Sequence, residues 1–171
     1  MTNLDFKKQK DDLTDHAKKV YLSIVNAQGR IEDDPTKVRT GIGIFLGDPD
    51  SRNFIKESIF DPSSDAVHFA SEKVTRMMTL GDASSANSAN PNKMKYPGAV
   101  RVKMTDGTII AAGGSGLKAA EDVVHSILML AYALDCKPQD VINNIKSHDG
   151  ILPDEISWED HYLNAVLAEY A

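Results

Sequence analysis

The residues Gly113-Gly114-Ser115-Gly116 stand at a corner between a β-rich run and a long apolar helical pattern. Backbone N–H groups at a helix start attract an anion, and the Ser115 hydroxyl adds a donor, so the corner suits a carboxylate or a propionate. A plainer reading is that glycine turns the chain from strand to helix in a confined space. Two sharper motifs fail on the same residues. No Gly-x-x-x-x-Gly-Lys-Ser/Thr phosphate loop occurs, and a nucleophile elbow centred on Ser115 requires glycine where Leu117 stands. A dinucleotide fingerprint is matched formally by Gly114-Ser115-Gly116-Leu117-Lys118-Ala119, with Asp135 near the place of a ribose-binding acid. That motif needs a parallel strand–helix–strand unit. Here the strand comes off a hairpin and the helical pattern runs on through Leu134.

Other chemistry-bearing residues are dispersed. His16, His68, His125, His148 and His161 fall on four helices and a loop, none three or four residues from another, and no His-Glu-x-x-His motif is present. His16 and His125 are the first choices as ligands for iron or cobalt; otherwise they read as core histidines. A Ser-His-Asp triad has no geometric support, and Met77 and Met78 read as core filler. Arg101 and Lys103 alternate with Val100, Val102 and Met104 along one strand, and they pair with a ligand's carboxylates at the glycine corner if they point that way.

These residues need elements to hold them. Leu13, Ala17, Val20, Tyr21, Ile24 and Val25 recur at helical steps, so a first helix is expected from Asp11 or Asp12 to before Gly29. A hairpin follows: a strand over Val38 to Leu46, a turn at Asp48-Pro49-Asp50-Ser51, and a strand over Arg52 to Ile59. Pro62-Ser63-Ser64-Asp65 signals a second helix, whose apolar face is Val67, Ala70, Val74, Met77 and Met78. The Ser/Asn-rich stretch 82–93 reads as a mobile connection or a flap over a site. A second hairpin turns at Thr105-Asp106-Gly107, where Asp-Gly supplies positive φ. A third helix is expected over Leu117 to Leu134, a short fourth from Pro138, and a terminal one carrying Trp158, Tyr162, Leu163, Val166, Leu167 and Tyr170 on one side. That stripe buries against the parent domain or another subunit. The order is α-β-β-α-β-β-α with a helical C-terminal extension, an α+β class built on an antiparallel sheet.

Bulk properties bound the partners. The 171 residues suit one domain over 11–171 after a polar tail, 1–10, in which Lys7, Lys8 and Lys10 are followed by Asp11 and Asp12. A net charge of -6 argues against nucleic acid. No apolar run approaches the roughly 20 residues that span a bilayer, and the start does not read as a secretory signal, so no membrane partner is expected. One cysteine, Cys136, makes no internal disulfide or cysteine zinc cluster, which fits a cytoplasmic setting.

Several short motifs together resemble the GlcG/HbpS-like family, the haem-binding DUF336-type domain also found at the end of PduO-type proteins. They are Pro97-Gly98-Ala99, then Gly113-Gly114-Ser115-Gly116 with Asp122 six positions on, the turn Asp48-Pro49-Asp50-Ser51, and Ala70-Ser71-Glu72-Lys73-Val74 on a helix. The likeness spans roughly 11–134. Ala99 and Ser51 replace family glycines, the Ser/Asn-rich stretch departs from the pattern, and 138–171 lies outside it. The resemblance implies a profilin-like antiparallel sheet flanked by helices, a homo-oligomer, and a bound haem or corrinoid. The expected protein is thus a cytoplasmic, oligomeric small-molecule binder. Two alternatives stand: an enzyme acting on a small acid or aldehyde with the corner as anion holder, and a non-catalytic interaction module docking through Trp158–Tyr170.

Overall fold

A computed structural model describes residues 4–171. Four strands form one antiparallel sheet: β1 (Gly41–Gly47), β2 (Phe54–Phe60), β3 (Ala99–Lys103) and β4 (Ile109–Ser115), in the order β2-β1-β4-β3. Five α-helices accompany them among the described residues: α1 (Lys10–Val25), α2 (Ala66–Leu80), α3 (Ala119–Ala133), α4 (Pro138–Ser147) and α5 (Tyr162–Glu169). The fold is α+β with a helical C-terminus, as expected. Both neighbours of β4 run antiparallel to it. The strand feeding the glycine corner is therefore not part of a parallel strand–helix–strand unit, and the dinucleotide fingerprint lacks the context it needs.

Alternation along the strands sorts side chains to two faces. Ile42, Ile44 and Leu46 of β1, with Val100, Val102, Ile110 and Ala112, enter the main core together with α1, α3, α4 and α5. The intervening positions Phe45, Ala99 and Ala111 meet Val74 and Met77 of α2 on the opposite face. That second face is shaved down to let α2 approach. A Cβ on Gly113 would lie 2.7 Å from the Ala70 carbonyl oxygen, and one on Gly43 would overlap the backbone of Ala66 and Val67. The second hairpin closes as its Asp-Gly pair demands: Gly107 has φ +88, Gly107 N–H donates to Met104 at 2.9 Å, and Asp106 Oδ1 accepts from Thr108 N at 2.9 Å.

Some boundaries move. The first strand starts at Gly41, and Val38 is 81% exposed outside it. Phe6, assigned to a polar tail, is fully buried in the main core, and its N–H donates to Asn53 Oδ1 at 3.1 Å. A lone phenylalanine among lysines carries no periodic signal, so composition alone hid it. Met1 to Asn3 lie outside the described residues. The 82–93 stretch folds into two short 3-10 turns, Ser85–Ser88 and Pro91–Lys93, and is tied down: Ser85 Oγ accepts from Ala99 N at 3.0 Å, and Arg76 Nε donates to Ser88 Oγ at 3.0 Å. Its small polar side chains serve as hydrogen-bond partners to β3 and α2. The terminal stripe turns inward, with Leu163 and Val166 buried in the main core and Tyr170 Oη 2.8 Å from Ser23 Oγ, while Trp158 precedes α5 and stays 58% exposed.

Candidate functional site

The glycine corner is held open by two carboxylates of the first turn of α3. Glu121 Oε2 accepts from Lys118 N at 3.1 Å and Asp122 Oδ1 accepts from Leu117 N at 3.0 Å, so backbone donors that a helix start leaves unpaired are satisfied locally. Gly116 has φ +143, in the region that glycine tolerates. Glu121 is fully buried and also binds Arg30, at 2.6 and 3.1 Å, and the Tyr162 hydroxyl, at 2.6 Å. Burial, then the bond to Glu121, pushes the Tyr162 phenol far above its ordinary range.

Beside this corner lies a buried ion pair that joins the two helical layers. Lys73 of α2 reaches past the start of β3, and its Nζ donates to the Gly114 carbonyl at 2.7 Å and to Asp122 Oδ2 at 3.1 Å. Both side chains are almost wholly buried. Gly98 makes the passage, since a Cβ there would sit 2.6 Å from Lys73 Nζ. Its carbonyl is held by Ser126 Oγ at 2.7 Å. Burial pushes the Asp122 carboxyl up, against the downward pull of Lys73 and the Leu117 N–H.

A cavity of about 460 Å³ opens over this pair. Phe69, Met94 and Tyr96 supply an apolar wall, and Lys37, Arg39 and Ser115 face the site from the other elements. Arg39 is aimed by its partners: Nη1 donates to the Gly116 carbonyl at 3.2 Å, while Nε and Nη2 grip Glu32 at 3.0 Å each. The bonds from Arg39, with a further one from Arg30 Nη2 at 3.1 Å, hold the Glu32 carboxyl down at about 2 against its partial burial. Lys37 enters no ion pair among the described residues, so its charge remains for a ligand. The arrangement can hold a carboxylate by charge and hydrogen bonding while an apolar body lies on the aromatic wall.

The expected site residues divide. Ser115 and Gly116 line the cavity, Gly114 offers the carbonyl that fixes Lys73, and Gly113 is a packing position beneath α2. Arg101 and Lys103 do not pair with anything at the corner. Arg101 lies opposite Ala111, four residues and about 13 Å of strand from Ser115, and its Nη2 donates to the Gly81 carbonyl at 2.8 Å. Lys103 lies opposite Ile109 near the hairpin turn, its backbone pinned by Asn144 at 3.0 Å. The antiparallel register carries both away from the corner.

His16 and His125 lie where α1 packs on α3, and neither lines the cavity at the glycine corner; His16 lines a smaller one, of about 170 Å³, with Tyr132 and Tyr170. His125 is fully buried with Nε2 3.1 Å from the Ala17 carbonyl oxygen, and burial lowers its pKa to about 4. His16 stacks on Tyr132 with ring centroids 3.8 Å apart, and burial lowers its pKa as well. Among the described residues no three His, Cys, Asp or Glu side chains come together as a metal site.

Lys37, Arg39, Phe69 and Tyr96 escaped the sequence reading because each lies in an irregular segment or on a helix flank, with nothing in its spacing to mark it. Lys73 and Asp122 each stood in a motif, but nothing in their spacing says that they touch. Among the described residues no helix is long and apolar enough to cross a membrane. Compared with protein-family models, with curated proteins and with solved structures, the chain matches none.

Proposed function

We propose that this protein binds a small molecule carrying a carboxylate and a flat apolar body, in the cavity above Lys73 and Asp122. The carrying observation is the pairing of an uncommitted cation, Lys37, and the Ser115 hydroxyl with the wall of Phe69, Met94 and Tyr96 in one 460 Å³ space. That size lies in the range of small-molecule sites. The motif likeness to the GlcG/HbpS-like group supports a tetrapyrrole, haem or a corrinoid, as one such ligand, because its propionates and its flat face match the two halves of the cavity. Histidine coordination by His16 or His125 is not part of the proposal, since neither lines the space. Were such a group bound there, Tyr96 and Met94 are the cavity side chains that would hold its metal.

Assembly into a homo-oligomer in the cytoplasm belongs to the same reading. The assembly is supported by exposed apolar side chains of the cavity, Met94 and Tyr96 at 60 and 40%, and by Val38, 81% exposed between the cavity residues Lys37 and Arg39. Sedimentation velocity of the purified protein tests the assembly.

The binding test is a titration with haemin followed by absorbance, alongside calorimetry with a series of aryl carboxylates. Saturable binding by a member of either set, weakened about tenfold by Lys37→Ala or Tyr96→Ala, is the expected result. Absence of saturable binding by all of them, or binding indifferent to both substitutions, contradicts the proposal.

A further inference from the structure

A second cavity, of about 640 Å³, lies on the other flank of the α3 start, between the Gly29 turn and the segment leading into α5. Its chemistry is opposite to that of the first. Trp158, His161 and Tyr162 form an aromatic wall, with Trp158 edge-on to His161 at 5.6 Å and His161 over Tyr162 at 4.5 Å between ring centroids. The wall is set by the backbone: His161 Nδ1 accepts from Leu163 N at 3.2 Å, and the Tyr162 hydroxyl is anchored on buried Glu121 at 2.6 Å. Asp33, Glu155 and Asp160 face the same space. Lys118, the cavity's lysine, is drawn to Asp33 at 3.5 Å and to the Ile31 carbonyl. Glu155 and Asp160 enter no ion pair among the described residues.

From this juxtaposition of aromatic wall and uncompensated carboxylates we infer a binding site for an organic cation, an alkylated ammonium, separate from the carboxylate cavity. Aromatic faces attract a cation through their negative quadrupole, and quaternary ammonium groups suit them because they shed water easily and need no hydrogen-bond acceptor. Trp158 offers the best such face and is 58% exposed, a large apolar side chain left uncovered within a concave site. The two free carboxylates set the sign of the ligand: an anion is repelled, and a neutral body of equal shape gains only apolar contact.

The sequence contains one tryptophan, so its fluorescence reports this cavity alone. The 171-residue protein at pH 8 is titrated with choline, and in parallel with 3,3-dimethylbutanol, which carries a tert-butyl group in place of trimethylammonium. The inference expects a saturable change in Trp158 emission with choline below about 50 mM, and binding of the neutral isostere at least about tenfold weaker. The surface variants Glu155→Gln and Asp160→Asn keep the fold by circular dichroism and together weaken choline about tenfold. Equal response to both compounds, binding unchanged in the doubly substituted protein, or no saturable change overturns it. The two cavities share Lys118 and Ala119, but the residues varied here line only this one and Lys37 and Tyr96 line only the other, so the two ideas fail separately.

Discussion

Lys73 Nζ lies 3.1 Å from Asp122 Oδ2, with α2 on one face of the sheet supplying the amine and α3 on the other supplying the carboxylate. Removing one partner of such a buried pair leaves an uncompensated charge, which costs about 3–5 kcal/mol. Lys73→Met and Asp122→Leu are each expected to lose that much in urea unfolding. The double variant is expected to lose clearly less than the sum. Additive losses would mean that the two groups do not interact.

The close approach of α2 rests on glycine. Gly113→Ala places a methyl against the Ala70 carbonyl and Val74, and is expected to lower stability by about 1–3 kcal/mol, with Gly43→Ala worse because backbone blocks it. Gly107→Ala is the control. Its surroundings are open, so only the positive φ is penalised, at about 1 kcal/mol. Thermal melts of the three variants should rank Gly107→Ala mildest and Gly43→Ala most severe.

His125 makes stability depend on pH. Its folded pKa, about 4, lies below the ordinary 6.5, so the unfolded chain binds the proton more readily. The corresponding stability is complete above pH 6.5 and is lost as pH falls toward 4, by about 3 kcal/mol in total. His16 is shifted the same way, so the effect is read as a difference. Urea unfolding of the protein and of His125→Leu across pH 7 to 4 should show a shallower fall in the variant; parallel curves would place the titration elsewhere.

The terminal helix belongs to the core. Leu163 and Val166 are buried against it, and Tyr162 and Tyr170 bond to Glu121 and Ser23. Truncation before Ser157 is expected to remove about 3–6 kcal/mol of apolar burial and to lower the thermal midpoint sharply or abolish cooperative unfolding. Unchanged melting would show that α5 is dispensable to the fold.

The elements were legible where periodicity or turn chemistry was strong. The stripe of α3, the Asp106-Gly107 hairpin and the Pro138 helix start all lie where the sequence puts them. What alternation cannot convey is which face of the sheet a side chain takes and which end of a strand it ends up beside. Arg101 illustrates both, since it is opposed to Ala111 and bonded to Gly81 rather than set near Ser115. The order β2-β1-β4-β3 brings β1 beside β4 through contacts remote in sequence, and the Lys73–Asp122 pair spans 49 residues. Ser115 and Gly116 were found because a strand–glycine–helix corner is local. The cations around them come from distant segments and were not.

The carboxylate ligand proposed here sits over the glycine corner. Amide NMR during titration with the tightest-binding diamagnetic aryl carboxylate reads that directly. Saturable shifts are expected, concentrated at Lys37, Arg39, Tyr96 and Ser115 to Ala119. Shifts centred instead on His16 and Tyr132, or spread evenly over the surface, would contradict it.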